Sequence, residues 1–129
     1  MKQADLPFII DQQFENWEFE LDFLPQRKLG YFSFRYIGNE MRYFYNIPIM
    51  YSELIFNADF LTAVKLEAKN LNLCLSEFLK QSDHIEIVIF KNYQLYKNEE
   101  IFYYFNFNES TIIYGKTFFM MNFLSFYEK

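Results

Sequence analysis

The sequence predicts an α+β fold, an antiparallel sheet of about six to eight strands packed on one long or kinked central helix. Three observations predict it. Residues 57–82 are the only long stretch with helical spacing: Phe60, Val64, Ala68, Leu71, Leu75 and Phe78 recur at steps of 4, 4, 3, 4 and 3. The segments on either side alternate apolar and polar residues with period two, as strands do. Finally, the 129 residues are 52% apolar, enough for one domain over 1–129 with a core of its own.

The elements follow in the order β-β-β-α-β-β-β-β. Residues 1–13 read as an irregular arm or short edge strand, because Pro7 cannot donate to a ladder. Trp17 to Phe23 alternates without a fault. Trp17, Phe19, Leu21 and Phe23 are expected to face the core and Glu18, Glu20 and Asp22 to face water. After a turn at Pro25 to Lys28, Leu29 to Ile37 forms a second strand. There Phe32, Phe34 and Tyr36 share one face, and Tyr31, Ser33 and Arg35 the other. Gly38-Asn39 turns the chain into a third strand, Met41 to Met50, which completes an antiparallel meander.

Asn57 or Asp59 can cap the first turn of the helix, and Ser82-Asp83 closes it. His84 to Phe90 is the next strand, with Ile85, Ile87 and Ile89 on one side. Tyr93 to Tyr96 follows, then a turn at Lys97 to Glu100. Ile101 to Phe107 is apolar on both faces, as a central strand is. Thr111 to Tyr114, a turn at Gly115-Lys116 and a last strand from Thr117 to Tyr127 end the chain.

Composition limits function. The formal charge is −5, which disfavours nucleic acid and anionic lipid and favours a basic partner. The 18 Phe and 11 Tyr accompany an abundance of Ile, Asn and Lys, so codon bias accounts for part of the aromatic content. The single cysteine, Cys74, allows no internal disulfide, fits a reducing compartment and reads as a small core residue. Met1 to Asp5 does not read as a secretory signal, and no apolar run is long enough for a bilayer. A cytoplasmic location is expected.

Ala68 to Leu79 is similar to the turn of helix-turn-helix and ribbon-helix-helix families. In that resemblance Asn72 is the left-handed turn residue and Ser76 caps a second helix. Phosphate contact would need basic residues, and only Lys69 and Lys80 lie nearby, so a helix kinked or split near Asn70 to Asn72 is the plainer reading.

Catalytic chemistry finds little footing. The only histidine, His84, beside Asp83, reads as a structural residue at a strand start. The three glycines, at 30, 38 and 115, are too scattered for a phosphate loop. No Cys/His spacing suits zinc. Glu18, Glu20 and Asp22 would lie about 6–7 Å apart along a strand, too far to share an ion without other ligands. No cofactor and no metal are therefore expected.

What remains is a surface. The acidic row Glu18, Glu20 and Asp22, with Tyr31 and Arg35 on the adjoining strand, has the composition of a protein-binding patch; the plainer reading is that Arg35 neutralises a solvated face. The expected function is a non-catalytic acidic protein-binding domain, of the immunity or inhibitor type that neutralises a bacterial toxin or effector by occluding a basic surface. The alternative is a small-ligand-binding or enzymatic α+β domain with an aromatic pocket between helix and sheet. An exposed aromatic sheet face would also favour a homodimer, with Phe118 to Phe126 as interface or core.

Overall fold

The stretch with helical spacing divides between two kinds of secondary structure. In a computed structural model that describes residues 6–25 and 31–121, the side chain of Glu18 aside, its first part is a strand and only its second part a helix. Strands β1 (Leu21–Leu24), β2 (Phe32–Tyr36), β3 (Arg42–Phe44), β4 (Ile47–Ile49), β5 (Tyr51–Asn57) and β6 (Phe60–Glu67) precede helix α1 (Leu71–Gln81). Strands β7 (Ile85–Ile89), β8 (Tyr93–Asn98), β9 (Ile101–Asn106) and β10 (Thr111–Lys116) follow it. Eight of them form one antiparallel sheet in the order β1-β2-β5-β6-β10-β9-β8-β7, and β3 and β4 form a separate two-stranded ribbon.

The expected helix over 57–82 is thus corrected. β5 and β6 are a hairpin joined by Ala58-Asp59, with Ala58 at φ 55. β6 lies between β5 and β10, so Leu61 to Val64 are buried on both faces. A strand buried on both faces shows no alternation, and that let its apolar residues pass for a helical stripe. The helix begins where Asn70 caps it, its side chain accepting from the Leu73 N–H at 3.0 Å. Asn72 and Ser76 are interior positions of this single helix, so the turn of the helix-turn-helix resemblance is not formed. α1 ends at Ser82, whose extended backbone still donates to the Phe78 carbonyl at 3.0 Å.

Other boundaries also move. The third strand of the expected meander is the β3–β4 ribbon, turned at Tyr45-Asn46 with φ of 47 and 71. Two consecutive positive φ values suit a tight hairpin. Because the ribbon leaves the sheet, the neighbour of β2 is β5. A bulge between Glu86 and Val88 breaks the alternation of β7: Ile85 and Val88 pair with Lys97 and Leu95, Glu86 and Ile89 with Tyr96 and Gln94. Gly115 and Lys116 belong to β10 rather than to a turn, and residues 117–121 are helical rather than extended. The rest of the expected last strand lies outside the described residues. β9 is central, as its apolar faces imply.

Two layers bury the sheet. On one face the arm residues Leu6, Phe8 and Ile10, the ribbon residues Phe44 and Tyr45, and Leu71, Cys74 and Phe78 of α1 form the larger core. Phe78 is fully buried among Phe44, Tyr45, Tyr96, Tyr103 and Phe105, with ring centroids 4.6 to 6.3 Å away. Burying such a side chain stabilises by about 1.5–3 kcal/mol before any benefit of ring geometry. On the other face Phe119 and Met120 cover Ile55, Ala63, Phe102 and Ile113. Gly115 permits the close pairing of β10 with β6. A Cβ there would stand 2.6 Å from the Ala63 Cβ and 2.8 Å from the Thr62 carbonyl oxygen.

Candidate functional site

The chain reaches the β1 edge through two 3-10 turns, Phe14–Asn16 and Glu18–Glu20. Phe14 and Trp17 stand three residues apart, the 3-10 period, and both rings pack on Phe56, at 5.4 and 6.2 Å. Burying Trp17 consumes the turn that an extended strand would have needed. The expected strand from 17 to 23 therefore shortens to β1, and Glu18, Glu20 and Asp22 do not form a row along one strand.

The expected site residues separate. Asp22 on β1 pairs with Arg35 on β2 at 3.2 Å, both side chains about half exposed. In register across the sheet, Asp22, Arg35, Glu53 and Lys65 stand opposite one another on β1, β2, β5 and β6. Charge alternates along this ladder, so the negative charge of Asp22 is balanced within the sheet; exposed cross-strand pairs of this kind contribute only about 0.2–1 kcal/mol. Glu53 is 5% exposed and its carboxylate accepts from the Tyr51 hydroxyl at 3.4 Å. Tyr31 packs edge-on against Phe119 at 4.9 Å and belongs to the second core. Glu20 is held by its backbone, its N–H donating to the Trp17 carbonyl and its carbonyl accepting from Ile37. Of these residues the structure brings Asp22 and Arg35 together and places Tyr31 on the second core.

Phe19 and Phe23, expected to face the core, are instead exposed, as the shortened strand leaves them outside the core. Phe19 is 92% exposed, Phe23 51% and Phe32 55%. Phe23 and Phe32 lie 6.5 Å apart across β1 and β2, where β1 is the edge strand among the described residues. Phe19 projects from the second 3-10 turn, flanked in sequence by Glu18 and Glu20, with exposed Glu15 in the turn before. The Trp17 N–H to Phe14 carbonyl bond at 3.0 Å and the Ile37 N–H to Glu20 carbonyl bond at 2.8 Å fix that turn. The signal that could have found these rings is the Phe14/Trp17 spacing, which sends the chain into 3-10 turns and puts Phe19 outside.

The space between helix and sheet, where an aromatic pocket was the alternative expectation, is occupied by the Phe78 ring. His84 packs on Phe78 with its ring tilted and the centroids 5.3 Å apart, and its Nδ1 lies 3.0 Å from the Ser82 carbonyl, which can only accept. Burial pushes the Cys74 thiol up to about 11 and the Tyr103 and Tyr114 phenols well above their ordinary range. Among the described residues no group of three or more His, Cys, Asp or Glu side chains could hold a metal, and no helix is long and apolar enough to cross a membrane.

Against protein-family models, curated proteins and solved structures, this chain has no match.

Proposed function

We propose that this chain is a non-catalytic protein-binding domain of the immunity or inhibitor type, which occludes a basic surface of a toxin or effector with its β1 edge. The observation that carries the reading is Phe19, 92% exposed on a pinned turn within an acidic segment. Leaving a phenylalanine ring in water forfeits most of its burial free energy, about 1.5–3 kcal/mol, and a rigid exposed ring recovers it on docking without ordering a loop. Phe23 and Phe32 extend the apolar area along the sheet edge. Glu15, Glu18 and Glu20 supply the charge that would speed encounter with a basic partner. Aromatic anchors with charged rims are the usual anatomy of such interfaces.

The test separates the anchor from the charge. Phe19→Ala with Phe32→Ala should leave circular dichroism and melting temperature unchanged, and should raise the dissociation constant for the captured basic partner at least about tenfold through faster dissociation. Reversing Glu18, Glu20 and Asp22 to Lys should chiefly slow association and flatten its salt dependence. Full affinity in the double alanine variant would remove the β1 edge from consideration.

A further inference from the structure

A groove of about 820 Å³ opens between the β3–β4 ribbon, the end of β2 and the start of α1. Its lining is partly an apolar wall and partly cationic. Met41, Ile49, Met50 and Leu73 make the wall, with Met41 57% and Met50 71% exposed. Lys69, Arg42 and Ser52 line it too, beside the N-terminus of the eleven-residue helix α1. In a chain of net charge −5, two cations meeting at one groove are a local reversal.

The polar groups there are unequally committed. Arg42 is largely committed: its guanidinium lies over the Phe8 and Tyr36 rings at 4.6 and 4.9 Å and donates to the Pro7 carbonyl, and only its Nε lacks a hydrogen-bond partner among the described residues. It also meets Glu40 at 3.4 Å, a carboxylate 74% exposed at the groove mouth. Ser52, by contrast, is only 5% exposed and lines the groove, and its hydroxyl makes no hydrogen bond among the described residues. Lys69 makes no ion pair among the described residues. The Ser52 hydroxyl oxygen is open to the groove and can donate to a ligand oxygen there. The helix N-terminus adds partial positive charge beside it, beyond the Leu73 N–H that Asn70 already satisfies.

We propose that this groove binds a small amphiphilic carboxylate. The head group would lie at Ser52 and Lys69, and the tail along Met41, Met50 and Leu73. One uncommitted ammonium matches one negative charge. A phosphate monoester would bring nearly two beside Glu40. Flexible methionines on the wall accommodate an alkyl chain of no fixed shape. The site is independent of the β1 edge.

The test is titration of the full chain with decanoate, decanol and decylammonium, followed by calorimetry and backbone amide shifts. Decanoate is expected to saturate one site and to shift Ser52 and residues 71–73. Decanol and decylammonium should bind at least about tenfold more weakly. Lys69→Glu should weaken decanoate about tenfold and the near-isosteric Ser52→Ala several-fold. Equal binding of the three compounds to the native chain, shifts confined to other surfaces, or no saturable binding would each overturn the proposal. The head-group comparison needs no variant, so it stands even if a substitution perturbs folding.

Discussion

Residues 60–67 and 71–81 share one apolar rhythm and take opposite structures. In β6, Phe60 and Val64 have helical spacing, but Leu61, Thr62 and Ala63 between them are buried as well. In α1 only Leu71, Cys74 and Phe78 are buried, at steps of three and four, and Asn72, Leu73 and Lys80 face out. β6 carries the β-branched Thr62 and Val64; α1 carries no Val, Ile or Thr. A side-chain cap at Asn70 opens α1, whereas a positive φ at Ala58 opens β6. The contrast teaches that spacing alone does not separate a helix from a strand buried on both faces; β-branching and the residue at the boundary do.

The largest expected effect comes from forcing β6 and β10 apart. Gly115→Val drives side-chain atoms into Ala63 and the Thr62 carbonyl, both backbone-fixed, and should abolish the folded state as read by near-UV circular dichroism. A native-like spectrum would mean that the two strands are not in this register. The helix half is probed by pH. The Cys74 thiol is raised from an ordinary 9 to about 11 by burial, so the folded state holds its proton where the unfolded chain releases it. Its contribution is whole below pH 9 and falls as pH rises from 9 to 11, a loss of roughly 2–3 kcal/mol by the upper end. Urea melts of Cys74→Ala should therefore show a shallower loss than the native chain over that window. Parallel curves would place Cys74 off the buried face.

The smallest effect is the sharpest discriminator. Asn70→Ala should cost about 1 kcal/mol, and Asn72→Ala, at an exposed interior helix position, close to nothing or a slight gain. The reverse order in chemical denaturation would restore the kinked-helix reading.

Much of the sheet was legible. Ile101 to Asn106 is apolar on both faces and interior to the sheet, whereas of Phe32, Phe34 and Tyr36, expected to share a face, only Phe34 and Tyr36 pack on the larger core. The β3–β4 ribbon was hidden because its turn uses Tyr45 and Asn46 without a glycine. The bulge in β7 was hidden because one inserted residue leaves composition unchanged. At the candidate site, the acidic segment was legible and its geometry was not. Perfect alternation from 17 to 23 fits a strand locally, but the burial of Trp17 against Phe8 and Phe56 is a tertiary fact that overrides it.

The place of β10 has a consequence for how the molecule is made. β10 pairs with β6 on one side and β9 on the other, and its Tyr114 hydroxyl also clasps Phe8, 106 residues earlier, through both backbone groups. A nascent polypeptide ending before residue 111 holds β1-β2-β5-β6 and β9-β8-β7 as two ribbons with raw edges and nothing between them. Closure of the sheet must then wait for β10 to leave the ribosome, and until it does the edges of β6 and β9 that it will join stay unpaired by it.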